Sequence, residues 1–308
     1  MQPLVVVLGP TGSGKTDLAL SVAQLFDGEL VGCDSLQIYR HFNLGTAKTP
    51  PSERCGIAHH LIDLIDPDRT FTAGDYARSG REALAGITAR GKLPVVAGGT
   101  GFYLRALLEG LFPGPERDEA LRERLFRREQ ARPGFLHRLL RRLDQPTAAR
   151  IHPHDAKKLI RAIEVSMLRR MPMSEQFQAG RDRLTGYRVL KVGLAPPRAL
   201  LHQRLDQRLA RMFEDGLVEE ARRILALGFS RTAKPFESVG YKEALAVIAG
   251  RMTPPRALAA AQLATRQYAK RQMTWFRRET DVVWLEGFGG DQEIRDTALS
   301  LVRGFLVQ

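Results

Sequence analysis

The sequence Gly9-Pro10-Thr11-Gly12-Ser13-Gly14-Lys15-Thr16 fits the phosphate-binding loop pattern G-x-x-x-x-G-K-[ST]. It directly follows the apolar run Leu4–Leu8 and opens Thr16–Phe26, where apolar residues recur at helical spacing. In this context glycines let backbone N–H groups surround an anion, and the helix N-terminus adds partial positive charge. We therefore predict that the loop binds phosphate groups, with Lys15 at the terminal phosphates and the Thr16 hydroxyl as a Mg²⁺ ligand.

Apolar runs and helical patterns alternate outward from this loop. Glu29–Cys33, His60–Ile65 and Leu93–Ala97 are typical of strands, and Ala73–Arg90 carries the apolar stripe of a helix. Buried strands that alternate with helices are typical of a parallel sheet covered on both faces. The sequence thus predicts an α/β fold with a P-loop NTPase-like parallel sheet core.

The pattern changes after Gly110-Leu111-Phe112-Pro113-Gly114-Pro115. Residues 116–180 contain charged helical stretches and no convincing strand, and a strand pattern returns at Arg188–Leu194. Three amphipathic helices and a last short strand come next, at about 198–227, about 240–249, about 254–278 and at Val282–Leu285. We expect a helical insertion domain over 113–184 within a core made of 1–112 and 185–308.

Charge separates the first third of the chain from the remainder. The 308 residues carry 47 Lys and Arg against 34 Asp and Glu, a formal net charge of +13. Residues 1–112 have 10 basic against 11 acidic side chains, 113–184 have 17 against 10, and 185–308 have 20 against 13. This uneven excess suggests a polyanionic partner such as nucleic acid, although high-pI proteomes also contain many basic proteins.

Several protein classes are disfavoured by composition. No apolar run approaches the roughly 18 residues needed to cross a bilayer, and the N-terminus lacks the features of a signal peptide. Cys33 and Cys55 form neither a metal pattern nor a disulfide framework. We expect a cytoplasmic protein without a membrane segment, and a monomer, since no obligate protein partner is indicated.

The chemistry of the loop depends on the residues at the ends of the other strands. An ordinary P-loop ATPase places a magnesium-binding carboxylate after an apolar strand, but Leu93–Ala97 ends in Gly98-Gly99-Thr100-Gly101. The missing acid argues against a motor or switch ATPase. Asp34 comes after the second strand, at the edge where ligands of open α/β sheets bind, and is the candidate general base. It could instead only cap the turn.

Nine stretches that span nearly the whole chain occur in a characteristic order: Gly9–Thr16, Asp34–Tyr39, Gly45–Lys48, His59–Asp63, Gly98–Tyr103, Arg150–Pro153, Leu159–Val165, Val239–Tyr241 and Thr265–Trp275. Together they resemble the tRNA dimethylallyltransferase family, also called isopentenyl-tRNA transferases. The resemblance implies a prenyltransferase whose P-loop binds the diphosphate of dimethylallyl diphosphate, with Mg²⁺ and without ATP hydrolysis. The implied acceptor is the exocyclic amine of the adenosine just 3′ of the tRNA anticodon, flipped into a channel through the core.

The resemblance also assigns roles to residues. An adenine amine is a poor nucleophile because its lone pair is delocalised, so Asp34 would accept its proton. Lys15, Mg²⁺ and the Thr100 hydroxyl would stabilise the departing diphosphate, although Thr100 could equally be part of a tight strand end. Contacts with the flipped nucleotide are expected from Asp34 itself and from Ser35, Leu36, Gln37 and Thr100.

Further cations are candidates for anion binding. Arg204, Arg208 and Arg222 recur at helical spacing, and one or more would clamp the diphosphate in bidentate fashion, unless they are simply solvated. RNA contacts through cations and base-stacking surfaces are predicted at Arg122, at Lys157-Lys158-Leu159-Ile160-Arg161 and at Glu237-Ser238-Val239-Gly240-Tyr241-Lys242. The first two sets lie in the basic insertion, which would then clasp the anticodon stem-loop.

Three other functions share parts of this pattern. A small-molecule kinase would place ATP in the loop and use Asp34 as base towards a hydroxyl. An RNA-binding ATPase would transfer no group, and an adenylate isopentenyltransferase would prenylate a free nucleotide. The kinase and the adenylate enzyme have less need of a basic insertion, and the ATPase would want the missing acid. The sequence therefore favours prenyl transfer to tRNA.

Overall fold

The chain divides into two units in the computed structural model, which describes residues 1–112, 114–176 and 182–307. One unit consists of Met1–Leu108 and Leu184–Gln308, and the other of Glu109–Arg183. The expected insertion over 113–184 includes Pro113 and residues 177–181, which lie outside the described residues. No helix in the described part of the chain has both the length and the apolar character of a membrane span.

The first unit is built on a parallel sheet, which among the described residues has six strands. In chain order they are β1 Gln2–Leu8, β2 Gly28–Cys33, β3 His59–His60, β4 Leu93–Gly98, β5 Tyr187–Leu194 and β6 Val282–Leu285. Their order across the sheet is β3-β2-β4-β1-β5-β6. β1 lies between β4 and β5, so that Val6 pairs with both Val96 and Lys191. The predicted α/β fold is confirmed.

Helices connect and cover these strands. In chain order they are α1 Lys15–Leu25, α2 Ala73–Ala89, α3 Gly101–Leu108, α4 Glu119–Ala131, α5 Phe135–Leu143, α6 Gln145–Arg150, α7 Ala156–Arg169, α8 Met173–Gln176, α9 Arg198–Glu214, α10 Leu217–Ala226, α11 Tyr241–Ile248, α12 Pro254–Phe276 and α13 Gln292–Val307. The run α4–α8 belongs to the second unit and the others to the first. The sequence patterns did not predict α3 or α13.

The core of the first unit lies on both faces of the central strand. Leu4–Leu8 is buried throughout, with no residue more than 1% exposed. Val5 and Val7 belong to a cluster with Leu18 and Val22 of α1 and with Val302 of α13. A strand that is covered on both faces has no polar alternation, which explains the continuous apolar run in the sequence.

Two predicted elements differ from the structure. The strand expected over His60–Ile65 ends at His60, because Leu61 and Asp63 have φ angles of 60° and 54°, outside the extended region. The helix expected over about 198–227 is two helices, since Gly216 has a φ of 97° and separates α9 from α10. In both cases a left-handed backbone residue interrupts a side-chain pattern that would otherwise continue.

The second unit has its own core. Apolar side chains of α4, α5 and α7 pack together, among them Leu121, Leu136 and Leu159. Beside them lies Glu164, whose carboxylate is fully buried. Burial alone would raise the pKa of Glu164, but hydrogen bonds from Arg122, from Arg161 and from a backbone amide outweigh it and lower the pKa to about 2.

Candidate active site

The phosphate loop begins at the end of β1 and curls around the N-terminus of α1. Gly12 and Gly14 have φ angles of 79° and 83°, which side chains rarely adopt. A Cβ on Gly12 would lie 2.6 Å from Cδ2 of Leu205, and one on Gly14 would lie 2.8 Å from the nitrogen of Gly289. The loop can therefore turn inward and also accept the close approach of α9 and of the loop after β6.

Lys15 is a half-buried cation at the start of α1. Its Nζ donates a hydrogen bond to the carbonyl of Pro10 at 2.7 Å. Burial lowers the pKa of Lys15 to about 8; the charge of Asp34 opposes this lowering and that of Arg208 adds to it. Within the described ranges Lys15 has no carboxylate within 4.0 Å, so its charge is available to an anionic ligand.

Arg208 of α9 is a second half-buried cation in the same region. Burial lowers its pKa, the charge of Asp34 opposes this effect, and the charges of Arg204 and Arg211 add to it. Its guanidinium forms no hydrogen bond or ion pair with any residue that the structure describes. A partly desolvated guanidinium without a partner is unfavourable unless an anion binds it. Arg208 and Lys15 are thus two half-buried cations whose charges act on Asp34 and on each other, and neither is paired with a carboxylate in the described ranges.

Asp34 and Thr100 are brought together at the carboxyl ends of β2 and β4. The Asp34 Oδ1 atom accepts a hydrogen bond from the amide of Leu36 at 2.8 Å, as in a turn cap. Thr100 Oγ1 accepts one from the amide of Ser35 at 3.1 Å, and the Thr100 amide donates to the carbonyl of Cys33 at 3.1 Å. In the described ranges Asp34 Oδ2 accepts no hydrogen bond, so one carboxylate oxygen remains free to accept a hydrogen bond from a ligand.

Gln37 connects this turn to the next loop along the chain. Its Nε2 donates to the carbonyls of Thr46 and Ala47 at 3.1 and 3.3 Å. These two bonds occupy the amide nitrogen, while Oε1 accepts no hydrogen bond from the residues described. A free carbonyl oxygen at a fixed position could accept a hydrogen bond from a nucleobase amine.

Two residues of α12 belong to this site although no sequence pattern assigned them to it. Tyr268 is half-buried, and burial raises its pKa, with a further contribution from the charge of Asp34. Gln272 is buried; its Nε2 donates to the carbonyl of Gly99 at 2.8 Å, and its Oε1 accepts from the amide of Thr11 at 2.8 Å. The Thr11 amide is therefore not available to a phosphate, contrary to expectation. A polar residue on the buried stripe of α12 is the signal that could have identified Gln272.

Comparisons with known proteins determine the family. A family model described as IPP transferase matches residues 37–279. The chain is 60% identical over 306 residues to the tRNA dimethylallyltransferase of Solibacter usitatus, covering 99% of this chain and 100% of the relative. It belongs to the IPP transferase family. The resemblance inferred from the nine sequence stretches is confirmed.

Solved structures agree with this membership. The tRNA isopentenylpyrophosphate transferase of Bacillus halodurans aligns with a TM-score of 0.72 at 32% identity, over 100% of this chain and 96% of that one. A eukaryotic dimethylallyltransferase acting on tRNA aligns with a TM-score of 0.86 at 25% identity, over 100% and 80% of the two chains. The parallel-sheet core of this chain is thus shared by solved transferases of this kind.

In this IPP transferase family member the three arginines proposed as a clamp have different surroundings. Arg208 lies close enough to Lys15 and Asp34 for their charges to interact. Arg204 lies over Phe288, with 4.8 Å from Cζ to the ring centroid, and 3.8 Å separate its Nη2 from Oδ2 of Asp17. Arg222 is exposed on α10 and pairs with Glu219 of its own helix at 2.9 Å. None of the contacts described for Arg222 joins it to the phosphate loop.

The RNA-contact residues expected in the second unit fall into three groups. Leu159 and Ile160 are 0% and 7% exposed within the core, so the prediction that their side chains contact RNA is wrong. Arg122 and Arg161 are partly exposed, and both donate to the buried carboxylate of Glu164. The exposed cations are Lys157 and Lys158, and Lys158 also pairs with Asp155 at 2.6 Å. A helix necessarily turns part of any five-residue run inward.

The third expected RNA-contact segment, Glu237–Lys242, leads into α11. Tyr241 is fully buried; its hydroxyl donates to the carboxylate of Glu220 and accepts from the amide of Gly45 at 3.1 Å. The prediction that the Tyr241 side chain contacts RNA is therefore wrong, because it supports the loop that begins near Gly45. The positions that remain partly or fully accessible are Glu237, Ser238, Val239 and Lys242, while Gly240 is buried.

Proposed function

We propose that this protein transfers a dimethylallyl group from dimethylallyl diphosphate to N6 of the adenosine just 3′ of the anticodon in tRNA, with release of diphosphate. The observation that carries the proposal is that Lys15 and Arg208, two half-buried cations, lie close enough to Asp34 at the carboxyl edge of the sheet for their charges to interact. This reaction requires a site for the diphosphate anion next to a group that accepts the proton of the adenine amine. The names of the curated relatives supply the substrate class.

In the proposed reaction the N6 amine attacks the allylic carbon that bears the diphosphate. The new N–C bond forms as the C–O bond to the diphosphate breaks, and the bonding electron pair leaves with the diphosphate. Asp34 takes the N6 proton on its free carboxylate oxygen, which keeps the product amine neutral. Lys15, Arg208 and the remaining loop amides neutralise the charge of the diphosphate, where partial burial strengthens their effect.

Three residues at the strand ends would orient the acceptor. Thr100 and Ser35 are joined by the hydrogen bond from the Ser35 amide to Thr100 Oγ1, so the two turns form one surface. Gln37 offers a fixed carbonyl oxygen beside it. We propose that these groups hold the flipped adenine with its amine towards Asp34, since an unstacked base is recognised by hydrogen bonds at its edge.

The proposal includes a Mg²⁺ ion carried by the diphosphate. In the described residues no cluster of three or more His, Cys, Asp or Glu could hold a metal. Mg²⁺ commonly needs only one or two protein oxygens when phosphates and water provide the rest, and the Thr16 hydroxyl at the loop is such a donor. The ion would add positive charge at the leaving group.

We propose that the unit formed by Glu109–Arg183 binds the anticodon stem-loop. Residues 113–184 carry 17 Lys and Arg against 10 Asp and Glu, which suits the phosphate backbone of RNA. Lys157 and Lys158 are exposed at the start of α7 and are the first candidates for phosphate contacts. A tRNA substrate also suits the predicted cytoplasmic location, and the monomeric state stays a prediction.

A labelling experiment tests the proposed function against the three alternatives. Purified protein is incubated with Mg²⁺, with labelled dimethylallyl diphosphate or ATP, and with unmodified tRNA or AMP. Label from dimethylallyl diphosphate in tRNA alone is the expected result. Label in AMP would indicate an adenylate isopentenyltransferase. ATP consumption without prenyl transfer would overturn the proposal in favour of an ATPase or a kinase.

A further inference from the structure

Gln272 is a polar side chain in a buried position of α12. It is only 6% exposed, and other positions on the same stripe of the helix are filled by Ala261, Ala269 and Phe276. Both ends of its amide are engaged: Nε2 donates to the carbonyl of Gly99 and Oε1 accepts from the amide of Thr11, each at 2.8 Å. Thr11 belongs to the phosphate loop, and Gly99 immediately precedes Thr100. One side chain therefore joins the turn after β1 to the turn after β4.

The chemistry of the two partners fixes which way this amide points. A backbone N–H can only donate and a backbone carbonyl can only accept, so the amide oxygen must face Thr11 and the nitrogen must face Gly99. Space is equally restricted, because a Cβ on Gly99 would lie 2.3 Å from Nε2 of Gln272. Glutamate has the right length but its carboxylate presents acceptors to both partners, and methionine has no donor for the Gly99 carbonyl and only a weakly accepting sulfur for the Thr11 amide.

The two hydrogen bonds of Gln272, which we call the bridge, affect the proposed reaction through the position of Thr100. The Gly99 carbonyl that Gln272 holds is separated from the Thr100 side chain by one peptide unit, and Thr100 Oγ1 in turn accepts from the amide of Ser35, next to Asp34. On its other side Gln272 holds Thr11, four residues before Lys15. Gln272 thus fixes the distance between the groups that would bind the diphosphate and the groups that would bind the adenine.

We infer that Gln272 is a positioning residue for group transfer, a role that rests on the proposed function. It keeps the diphosphate-binding loop and the acceptor-binding turn in register without touching either substrate. Reacting atoms that are displaced by about 1 Å can lose about 10²-fold in rate. Loss of the bridge therefore slows the transfer step, while each half of the site keeps its own binding groups.

The first test is a double-mutant cycle on single-turnover transfer to tRNA. Gln272→Met is expected to lower the rate about 10²-fold, with the dissociation constants for inorganic diphosphate and for tRNA changing less than about threefold. Thr100→Val also lowers the rate. Because Gln272 acts through Thr100, the double variant is expected to be no slower than about the slower single variant. Rate losses that multiply, or an unchanged rate in Gln272→Met, would overturn the inference.

A matched control separates the bridge from a general disturbance of α12. Gln262 lies on the same helix, and its Nε2 donates to the carbonyl of Asp206 at 3.1 Å. Gln262→Met removes a similar amide bond far along the helix and is expected to leave the transfer rate within about twofold of wild type. A loss equal to that of Gln272→Met would show a helix effect and contradict the bridge.

A pH experiment keeps the inference testable if Gln272→Met is poorly folded. In Gln272→Glu a protonated carboxyl can donate to Gly99 and accept from Thr11, so it restores the pattern of the amide, whereas the carboxylate cannot. The ratio of the Gln272→Glu rate to the wild-type rate is expected to rise at least tenfold as pH falls through the pKa of the new carboxyl. The other charged and ionisable groups of the region are the same in both proteins, so the comparison with wild type isolates the effect of the new carboxyl: Lys15, Cys33, Asp34, Tyr76, Tyr103, Arg208 and Tyr268. A ratio independent of pH between 5 and 8 would overturn the inference.

The wild-type arm distinguishes the two proposals. If wild-type protein transfers no dimethylallyl group to tRNA, the proposed function fails whatever the variants do. If it does transfer the group and the rate losses of Gln272→Met and Thr100→Val multiply in the double variant, only the role of Gln272 fails.

Discussion

Replacing Glu164 by Gln should destabilise the second unit without touching the proposed active site. The buried carboxylate accepts hydrogen bonds from Arg122 Nε at 2.7 Å, from Arg161 Nη1 at 2.6 Å and from the amide of Asp118 at 2.9 Å. These bonds lower the pKa of Glu164 from 4.5 to about 2 despite its burial. One pKa unit corresponds to about 1.4 kcal/mol. Relative to its protonated form, the ionised carboxylate therefore stabilises the fold by about 3 kcal/mol, which the neutral amide would largely lose.

The sign of the pH dependence comes from the lowered pKa. Stability contributed by Glu164 is fully present above pH 4.5, the pKa of the unfolded chain, and is lost as pH falls from there towards 2. In Glu164→Gln this contribution is absent at every pH. The difference in unfolding free energy between the two proteins should therefore be about 3 kcal/mol at pH 7 and should shrink below pH 4.5.

The assay must report on the second unit itself. Both tryptophans, Trp275 and Trp284, lie in the first unit, so tryptophan fluorescence would miss the change. Hydrogen exchange of peptides from α4 and α7 as a function of urea measures it directly. The control is Glu123→Gln, because Glu123 is exposed on α4. Its Oε1 lies 4.0 Å from Nε of Arg127. Such an exposed ion pair contributes less than about 0.5 kcal/mol to the free energy of unfolding. Equal stability of Glu164→Gln and wild type at pH 7 would refute the stabilising role of the buried carboxylate.

Three further outcomes concern the proposed active site. Asp34→Asn should lower kcat at least about 10²-fold with little change in tRNA binding, measured by labelled prenyl transfer; wild-type turnover would remove Asp34 from the mechanism. Arg208→Lys should raise the KM for dimethylallyl diphosphate about tenfold, because a bidentate contact is lost. Arg222→Lys should leave this KM unchanged. If Arg222→Lys raised the KM and Arg208→Lys did not, the arginine that binds the diphosphate would be on α10. Because burial lowers the pKa of Lys15 to about 8, donor KM should rise above pH 8 as the free ammonium loses its proton; a flat profile to pH 9.5 would contradict this.

What the sequence alone could predict was local. Gly9–Thr16 comes directly after a buried apolar run and begins a helix, and these neighbours along the chain suffice to predict a phosphate loop at the end of a strand. Asp34 and Thr100 could be predicted for the same reason, because the carboxyl ends of parallel strands meet at one edge. Where the prediction of an element was wrong, as beyond His60, the left-handed residues Leu61 and Asp63 interrupted a largely apolar pattern.

The tertiary structure decided which side chains of a correctly placed helix face the site. Arg208 and Arg222 are the same residue type in the same predicted helix, yet α9 packs against Gly12 through Leu205 and α10 is a separate helix. Thr11 and Gln272 are 261 positions apart, and no local pattern relates them. The physical reason is that periodicity and turn chemistry act over a few residues. Contacts between distant segments depend instead on how complete elements pack, a property of the whole chain.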